Sequence, residues 1–296
     1  MPDWPSAARD LRLRDRVFHP GQTALLAIIN RTPDSFYDQG MYVDDEAALR
    51  AVARAVTDGA DAVDLGGVKA GPGPEVSAAQ EADRVVPLVE AIRREHPDLV
   101  VSVDTWRASV AEAALRAGAD MVNDAWAGHD PDVTVVAARA GAAYLCAHTG
   151  GHPPRTDPHR VRYADVVGHV IADLARQAEA ALAAGVREDG ILIDAAHDFG
   201  KNSYHSLQVT GGIGKLVATG WPVLLAVSNK KFIAETLGLD GRKTDRLTGT
   251  LATTAVAVWE GVRMVRAHNV GQTREVIDMV TGIRTGIPRL ARRALA

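Results

Sequence analysis

The sequence predicts an α/β fold, a (β/α)8 TIM barrel built as a single domain. Short apolar runs rich in Val, Ile and Leu, typical of buried parallel strands, recur eight times along the 296 residues. Longer Ala-rich stretches with helical character separate these runs. Several of them end in a glycine just before the next strand (Gly59, Gly118, Gly141, Gly185), and glycine in this position ends a helix through a positive φ. Eight strand–helix units favour a closed barrel over an open doubly wound sheet.

The elements follow in regular alternation. The predicted strands are 24–29, 62–65, 99–103, 121–122, 143–147, 191–193, 222–227 and 263–265. The predicted helices are 46–57, 77–95, 107–117, 131–140, 163–184, 203–217, 231–261 in two pieces, and 273–281. No Gly-x-Gly-x-x-Gly follows the first strand, which disfavours a dinucleotide-binding fold.

The domain boundaries are predicted from the ends of this pattern. Residues 1–20 lack an apolar signal core and are predicted to be a flexible N-terminal leader. Residues 21–285 are predicted to form the barrel, and residues 286–296 a C-terminal tail.

Composition excludes several classes of protein. Hydrophobic residues make up 47% of the chain, which is ample for a core, and the formal net charge of -4 disfavours nucleic acid as a partner. The longest apolar runs are far shorter than the roughly 20 residues that a membrane-spanning helix needs. The single cysteine, Cys146, excludes a disulfide framework. We therefore predict a cytoplasmic protein without a membrane or nucleic-acid partner.

Polar side chains follow every predicted strand. Examples are Asn30, Asp64, Asp104 and Asn123, and polar residues follow the later strands in the same way. The C-terminal ends of barrel strands meet at one mouth, so these side chains are candidates for a common site. For Asp104 and for Asp124 an equally good explanation is helix capping, because Asp104 precedes the helix that starts near residue 107.

The residue types indicate a class of ligand. Carboxylates and carboxamides match the edge of a heterocycle that carries an amino group, a ring N–H and a carbonyl. Arg266 and His268 offer positive charge after the last strand, where barrels often bind phosphate, and Asn30 offers an oxygen to Mg²⁺. The residues alone thus suggest a phosphorylated heterocyclic substrate, although orotidine- or indole-type barrels fit the same groups.

A set of motifs, in order over nearly the whole predicted barrel, resembles the dihydropteroate synthase family. The motifs are Asn30-Arg-Thr-Pro-Asp-Ser-Phe36, Asp64-Leu-Gly-Gly67, Ser102-Val-Asp104-Thr, Gly118-Ala-Asp-Met-Val-Asn123-Asp124, Phe199-Gly-Lys201, Ser228-x-Lys230-x-Phe-Ile and Arg266-x-His268. The resemblance implies a (β/α)8 barrel. It also implies a transferase of folate biosynthesis that joins 6-hydroxymethyl-7,8-dihydropterin pyrophosphate to p-aminobenzoate and releases pyrophosphate.

The resemblance also implies roles for individual residues. It assigns pterin binding to Asp104, Asn123, Asp194 and Lys230. Pyrophosphate binding and catalysis fall to Asn30, Arg266 and His268, with Asn30 as the Mg²⁺ ligand. The second-substrate region comprises Thr32, Pro33, Phe36, Lys69, Gly71, Pro72, Ser228, Asn229 and Lys231, and two loops, 31–40 and 67–75, correspond to mobile loops of the family. Barrels of this family are often homodimers through their last helices, and we predict the same here.

The departures from the family pattern are concentrated near the second substrate. The family's second loop usually reads Gly-Gly-Glu-Ser-x-Arg-Pro-Gly, whereas Val68 stands here in place of the Glu and Gly71 in place of the Arg. Lys69 is shifted and is not an assured substitute. The other departures are Arg31 in place of an apolar residue, Ala195-Ala196 for Pro-Gly, Asn229 for Arg and Asn269 for Asp. This pattern indicates a diverged actinobacterial paralogue with an altered p-aminobenzoate region.

Four functions remain open at this point. The first is a dihydropteroate synthase with weak or altered p-aminobenzoate handling, and the second is a pterin transferase that uses another nucleophile. The third is a pterin-binding protein without turnover. The fourth, a methyltetrahydrofolate-binding methyltransferase barrel, is disfavoured because Arg266 and His268 suit pyrophosphate.

Overall fold

The described residues form a closed parallel barrel, as the sequence predicts. The structure is a computed structural model, and it describes residues 8–31, 45–126, 128–156, 161–239 and 246–291. Eight parallel strands pair around the barrel in the order β3-β4-β5-β6-β7-β8-β9-β10, and β10 pairs with β3 to close it. The prediction of a single-domain TIM barrel is confirmed.

The element bounds follow the predicted alternation closely. The strands are β1 Leu11–Leu13, β2 Arg16–Phe18, β3 Ala24–Asn30, β4 Ala62–Gly66, β5 Val100–Asp104, β6 Met121–Asp124, β7 Ala143–Ala147, β8 Ile191–Asp194, β9 Val223–Leu225 and β10 Met264–Ala267. The helices are α1 Asp45–Thr57, α2 Ala78–Glu95, α3 Ala108–Arg116, α4 Asp132–Ala140, α5 Val166–Ala183, α6 Ser203–Gly211, α7 Ile213–Val217, α8 Lys231–Thr236, α9 Leu247–Glu260 and α10 Val270–Thr285.

Local side-chain chemistry explains where helices begin and end. Ser77 caps α2 in a reciprocal arrangement with Gln80, and Asp165 caps α5 by accepting the N–H of Gly168. The predicted helix 163–184 therefore starts later, at Val166. The predicted helix 203–217 is two helices, because the chain breaks at Gly212, where a β-carbon would lie 2.9 Å from the side chain of Val167.

Residues 11–18 correct the prediction of a flexible leader. They form an antiparallel hairpin, β1–β2, in which Leu11 and Leu13 are fully buried. Arg263 fixes the hairpin to the barrel by donating hydrogen bonds to the carbonyl oxygens of Arg9 and Phe18. The signal missed in the sequence was the alternation of Leu11 and Leu13 with arginines, which is typical of a half-buried strand.

Two apolar layers surround the strands. The inner layer fills the barrel and includes the hairpin residues Leu11, Leu13 and Phe18 together with Leu26, Met121, Leu145, Leu192, Leu224 and Met264. The outer layer lies between strands and helices. The hairpin thus closes the N-terminal end of the barrel and leaves the C-terminal end as the place for a site. None of the helices in the described part of the chain combines the length and hydropathy needed to cross a bilayer.

Candidate functional site

The strand register brings three predicted site residues, Asn30, Asp104 and Asn123, to one level with Gly66. Asn30 of β3 pairs with Gly66 of β4, Gly66 pairs with Asp104 of β5, and Asp104 pairs with Asn123 of β6. Parallel strands place paired residues side by side, so the four positions form a row at the mouth of the barrel. The polar residues directly after the apolar runs therefore share one edge.

A cavity of about 300 Å³ opens at this mouth. Its wall includes every residue that the resemblance assigns to the pterin and to pyrophosphate: Asn30, Asp104, Asn123, Asp194, Lys230, Arg266 and His268. Apolar side chains of Ile28, Leu145, Phe199 and Ala226 complete the wall. A mostly apolar cleft with a few convergent polar groups is typical of a small-molecule site.

Asp64 connects the polar groups at the base of the site. It is fully buried and accepts hydrogen bonds from Arg266 Nε at 2.6 Å and from Asn123 Nδ2 at 2.9 Å. Arg266 Nη2 also donates to Asp104 Oδ2 at 3.0 Å. The sequence shows Asp64 among the polar residues near strand ends, but the resemblance assigns it no role, and its partners, Asn123 of β6 and Arg266 of β10, are distant in the chain.

The network leaves two buried acceptor atoms without a partner, Asp64 Oδ1 and Asn123 Oδ1. A buried polar atom without a hydrogen bond is costly, and such atoms at a cavity indicate a missing partner. Both atoms are oxygens, so the missing partner must donate N–H or O–H groups.

Burial shifts the pKa values of the charged groups at the mouth. Burial raises the pKa of Asp104 to about 7, against the opposing attraction of Arg266, and 22% of its side chain remains exposed to the cavity. Burial also raises the pKa of Asp194 and lowers the pKa of Lys230, while each of these two charges partly counters the shift of the other. Perturbed carboxyl and amino groups that face one cleft are typical of functional sites.

The helix-capping explanation fails for both aspartates. The residue before α3 is Arg107, and the carboxylate that accepts the N–H of Ala108 belongs to Asp130, so Asp104 does not cap this helix. Asp124 instead holds the turn after β6, since it accepts hydrogen bonds from Tyr144 Oη at 2.7 Å and from the N–H of Gly128 at 2.9 Å. Asp104 therefore remains in the site and Asp124 is structural.

His268 differs from its predicted role as a cation. It lies against Ser228, with 3.0 Å between Nδ1 and Oγ, and burial beside Arg266 lowers its pKa to about 3. The ring is therefore neutral near pH 7. Of the two predicted phosphate-binding groups, Arg266 alone carries a positive charge.

The loop after β8 has an unusual backbone. Ala196 and Asp198 adopt φ values of 48° and 66°, in the left-handed region that favours glycine. Lysines hold the loop in this form: Lys201 Nζ donates to the carbonyl oxygens of Ala196 and Phe199, and Lys230 Nζ donates to that of His197. Asp198 in turn accepts the N–H of Lys231 at 2.6 Å. Phe199 of this loop lines the cavity, and the centre of its ring lies 4.7 Å from Lys230 Nζ.

A pair of glycine substitutions tests this loop. Gly200 has a φ of 56°, and a β-carbon there would lie 2.2 Å from the carbonyl oxygen of Thr149. Gly141 has a φ of 64° but would meet nothing within 4 Å. We expect Gly141→Ala to lower the free energy of unfolding by about 1–2 kcal/mol, and Gly200→Ala by roughly 3 kcal/mol or more because overlap adds to the backbone strain. Denaturant titration measures both, and equal losses would contradict the close approach.

The predicted second-substrate residues divide into three groups. Lys69, Gly71, Ser228 and Asn229 line the cavity, and so do Val68 and Ala70, which were not predicted. Pro72 and Lys231 are not part of this cavity wall, and their assignment stays a prediction. Lys231 begins α8, and its Nζ pairs with Glu235 at 3.2 Å on an exposed surface, because the helix turns it away from Lys230. Thr32, Pro33 and Phe36 lie outside the described residues.

The protein groups available to a metal are few. The residues that the structure describes contain no group of three or more His, Cys, Asp or Glu side chains suited to hold an ion. Asn30 contributes a carboxamide oxygen at the mouth, and the absence of a side chain at Gly66 leaves room for it, since a β-carbon would lie 3.2 Å from Asn30 Oδ1. One protein oxygen suits Mg²⁺ only when phosphate oxygens and water complete the coordination.

Comparison with known proteins identifies the family. A family model described as pterin binding enzyme matches residues 26–268. The chain belongs to this pterin-binding family. The predicted resemblance to dihydropteroate synthases is confirmed, and relatives of 52–54% identity come from mycobacteria.

Several members of the pterin-binding family resemble the chain along most of its length. The protein named inactive dihydropteroate synthase 2 of Mycobacterium tuberculosis strain H37Rv is 54% identical over 263 residues, which are 88% of this chain and 82% of that protein. The dihydropteroate synthase of Staphylococcus epidermidis strain RP62A is 39% identical over 256 residues, 84% of this chain and 90% of that protein. The crystal structure of the Yersinia pestis dihydropteroate synthase with a sulfonamide drug complex superposes with a TM-score of 0.87 at 30% identity, covering 94% of this chain and 100% of that chain.

Proposed function

We propose that this protein binds 6-hydroxymethyl-7,8-dihydropterin pyrophosphate at the barrel mouth and condenses it weakly with p-aminobenzoate, releasing pyrophosphate. One observation carries the proposal. Asp104, Asn123 and Asp194 at the ends of three strands, and Lys230 in the loop after a fourth, reach a single cavity of about 300 Å³, and Asn123 Oδ1 in its wall and Asp64 Oδ1 beside it have no hydrogen-bond partner. The amino group and ring N–H groups of a pterin are the donors that these acceptors lack.

The remaining groups suit the other half of the reaction. The C–O bond to pyrophosphate breaks, the amine of p-aminobenzoate forms a C–N bond at the pterin methylene, and the nitrogen then loses a proton to the released pyrophosphate or to water. The departing group gains negative charge, which the guanidinium of Arg266 can stabilise from its fixed position between Asp64 and Asp104. Neutral His268 can donate a hydrogen bond to the same oxygens.

Mg²⁺ fits this proposal when it arrives with the substrate. Asn30 would hold it, together with oxygens of the pyrophosphate, and Mg²⁺ so bound neutralises charge on the leaving group. The chain itself contributes the carboxamide oxygen and keeps the space above Gly66 open.

A pterin-binding protein without turnover is the second candidate, and two observations favour it. The mycobacterial relative at 54% identity is named inactive. The wall near the proposed second substrate has Val68 and Gly71 where the resembling family has Glu and Arg. An arginine lost from a buried contact costs on the order of 2–3 kcal/mol, or about 30- to 150-fold in rate.

A pyrophosphate-release assay beside a pterin titration separates these functions. We expect pterin binding by calorimetry and slow pyrophosphate release that depends on p-aminobenzoate and Mg²⁺. Binding with release at background would favour the non-catalytic protein. Release that another amine supports better than p-aminobenzoate would favour a different nucleophile, and no binding of the pterin would refute both candidates.

Pterin affinity is expected to fall at low pH. The pKa of Asp104 is raised to about 7 by burial, so its carboxylate is protonated below that pH, and the neutral carboxyl is a weaker acceptor for a ring N–H and carries an O–H donor of its own. Each pH unit below the pKa then weakens binding about ten-fold, and we expect roughly ten-fold weaker affinity at pH 6 than at pH 8. Calorimetry over this range measures the effect, and Asp104→Asn should remove the dependence. If pterin affinity of the variant depends on pH as in the parent, the titrating group is not Asp104.

We also propose a homodimer through the last two helices. α9 and α10 pack side by side and leave four apolar side chains at least half exposed: Val256, Trp259, Met279 and Ile283. Contiguous exposed apolar surface often marks an interface between proteins. Sedimentation equilibrium of the protein and of Ile283→Glu tests this, with a dimer expected for the former and a monomer for the latter. The cytoplasmic location stays a prediction.

A further inference from the structure

We propose that Arg155 is a positioning residue that ties the loop after β4 across the mouth of the barrel. The loop in question comprises residues 67–76 and is called the β4 loop. The segment that carries Arg155 connects β7 to α5, and its described residues are 148–156 and 161–165. The inference concerns the ligand-free fold, and only its consequence for the second substrate rests on the proposed function.

The segment that carries Arg155 is anchored at its base. Lys201 Nζ donates to the carbonyl oxygen of His148 at 2.9 Å, and Tyr163 Oη donates to that of Gly200 at 2.8 Å. The carbonyl oxygen of Thr149 lies so close to Gly200 that no side chain fits there. Both ends of the segment are therefore fixed to the loop after β8.

From this anchor Arg155 reaches a loop that belongs to a strand three places away around the barrel. β4 and β7 are separated by β5 and β6 in the barrel. Arg155 Nε donates to the carbonyl oxygen of Gly71 at 3.2 Å, and Nη1 donates to that of Pro74 at 2.7 Å. Its backbone has a φ of 62°, in the left-handed region, so the surrounding contacts must offset a strained conformation.

Other arginines hold only the ends of the β4 loop. Arg84 Nη1 donates to the carbonyl oxygen of Gly67 at 2.7 Å, and Arg107 Nη2 donates to that of Val76 at 2.6 Å. Between these points the sequence is Val-Lys-Ala-Gly-Pro-Gly-Pro-Glu, with few side chains able to fix a backbone. Arg155 supplies the two side-chain hydrogen bonds to the middle of the loop.

The middle of the loop is also the part that forms the cavity wall. Lys69 and Gly71 line the cavity, whereas the pterin-directed residues lie on other strands. Release of Arg155 should therefore loosen the second-substrate end and leave the pterin end intact. This separation distinguishes a positioning role from a general contribution to folding.

The test compares Arg155→Ala and Arg155→Lys with Arg162→Ala, which removes an exposed arginine of the same connection. Amide order parameters of Ala70, Gly71 and Gly73 are measured by NMR in the ligand-free proteins. We expect order parameters of about 0.8, typical of a rigid backbone, in the parent and in Arg162→Ala, and values below about 0.6 in Arg155→Ala. Arg155→Lys should give intermediate values, because an ammonium can still donate to a carbonyl but lacks the planar fork.

The same variants are titrated with 6-hydroxymethylpterin. Pterin affinity within about two-fold of the parent in Arg155→Ala, together with the mobile loop, supports the inference. Unchanged order parameters would overturn it, and so would an equal loss of order throughout the barrel. Failure of every protein, parent included, to bind the pterin would refute the proposed function while the order parameters still decide the role of Arg155.

Discussion

Replacing Asp104 with alanine is expected to weaken binding of 6-hydroxymethylpterin at least about 30-fold, enough to remove it from a typical titration. The carboxylate pairs with Arg266 at 3.0 Å and faces the cavity. Removing it eliminates an acceptor for the ligand and leaves the guanidinium with one buried partner fewer. Truncating one member of such a pair costs roughly 2–5 kcal/mol, and 2 kcal/mol corresponds to about 30-fold in affinity. Calorimetry gives the affinity, and thermal melting shows whether the variant is folded.

Adjacent lysines provide a matched control for the same site. Lys230 faces the cavity, whereas Lys231 pairs with Glu235 on the surface of α8. Lys230→Ala should match the loss seen for Asp104→Ala, and Lys231→Ala should bind the pterin normally. Pterin affinity that survives both cavity substitutions would refute the assignment of this cavity.

The second large effect is expected when the Glu and the Arg of the family's second loop are restored in the β4 loop. The variant Val68→Glu with Gly71→Arg should raise the p-aminobenzoate-dependent rate of pyrophosphate release, by about 30- to 150-fold if the lost arginine contact is fully regained. Both positions line the cavity, and a β-carbon at Gly71 would meet only the end of the Lys69 side chain, at 3.8 Å. A β-carbon at Gly71 therefore has room without displacement of the backbone.

The control places an arginine at a glycine outside the cavity. Gly211 ends α6 at an exposed position, and a β-carbon there would meet nothing within 4 Å. Gly211→Arg should leave the rate unchanged. A flat response of the double variant, with pterin binding intact, would indicate that p-aminobenzoate is not the nucleophile of this protein.

The barrel and the deep part of the site could be predicted because both depend on order along the chain. Apolar runs followed at once by Asn30, Asp104, Asn123 and Asp194 place these residues at one edge of a parallel sheet. The strand register then brings them together, so the prediction did not require knowledge of long-range contacts. Lys230 and Arg266 were identified for the same reason.

The rest depends on contacts that leave no local signal. Arg155 binds carbonyl oxygens of residues about eighty positions earlier, and a carbonyl acceptor has no side chain to mark it in the sequence. The resemblance placed Lys231 in the second-substrate region, whereas α8 starts at this residue and its Nζ pairs with Glu235 on the surface. His268 was assigned a charge that burial removes, and burial is a property of the folded chain.

The hairpin at the lower end of the barrel has a kinetic consequence. Since β1 and β2 bury Leu11, Leu13 and Phe18 in the interior, the mouth is left as the opening through which small molecules reach Asn123 and Asp194 in the described fold. A compound that contacts these residues must enter before any compound that rests on Lys69 and Asn229 nearer the entrance, and must leave after it. Saturating amounts of the outer compound should therefore slow dissociation of the inner one, whatever chemistry passes between them.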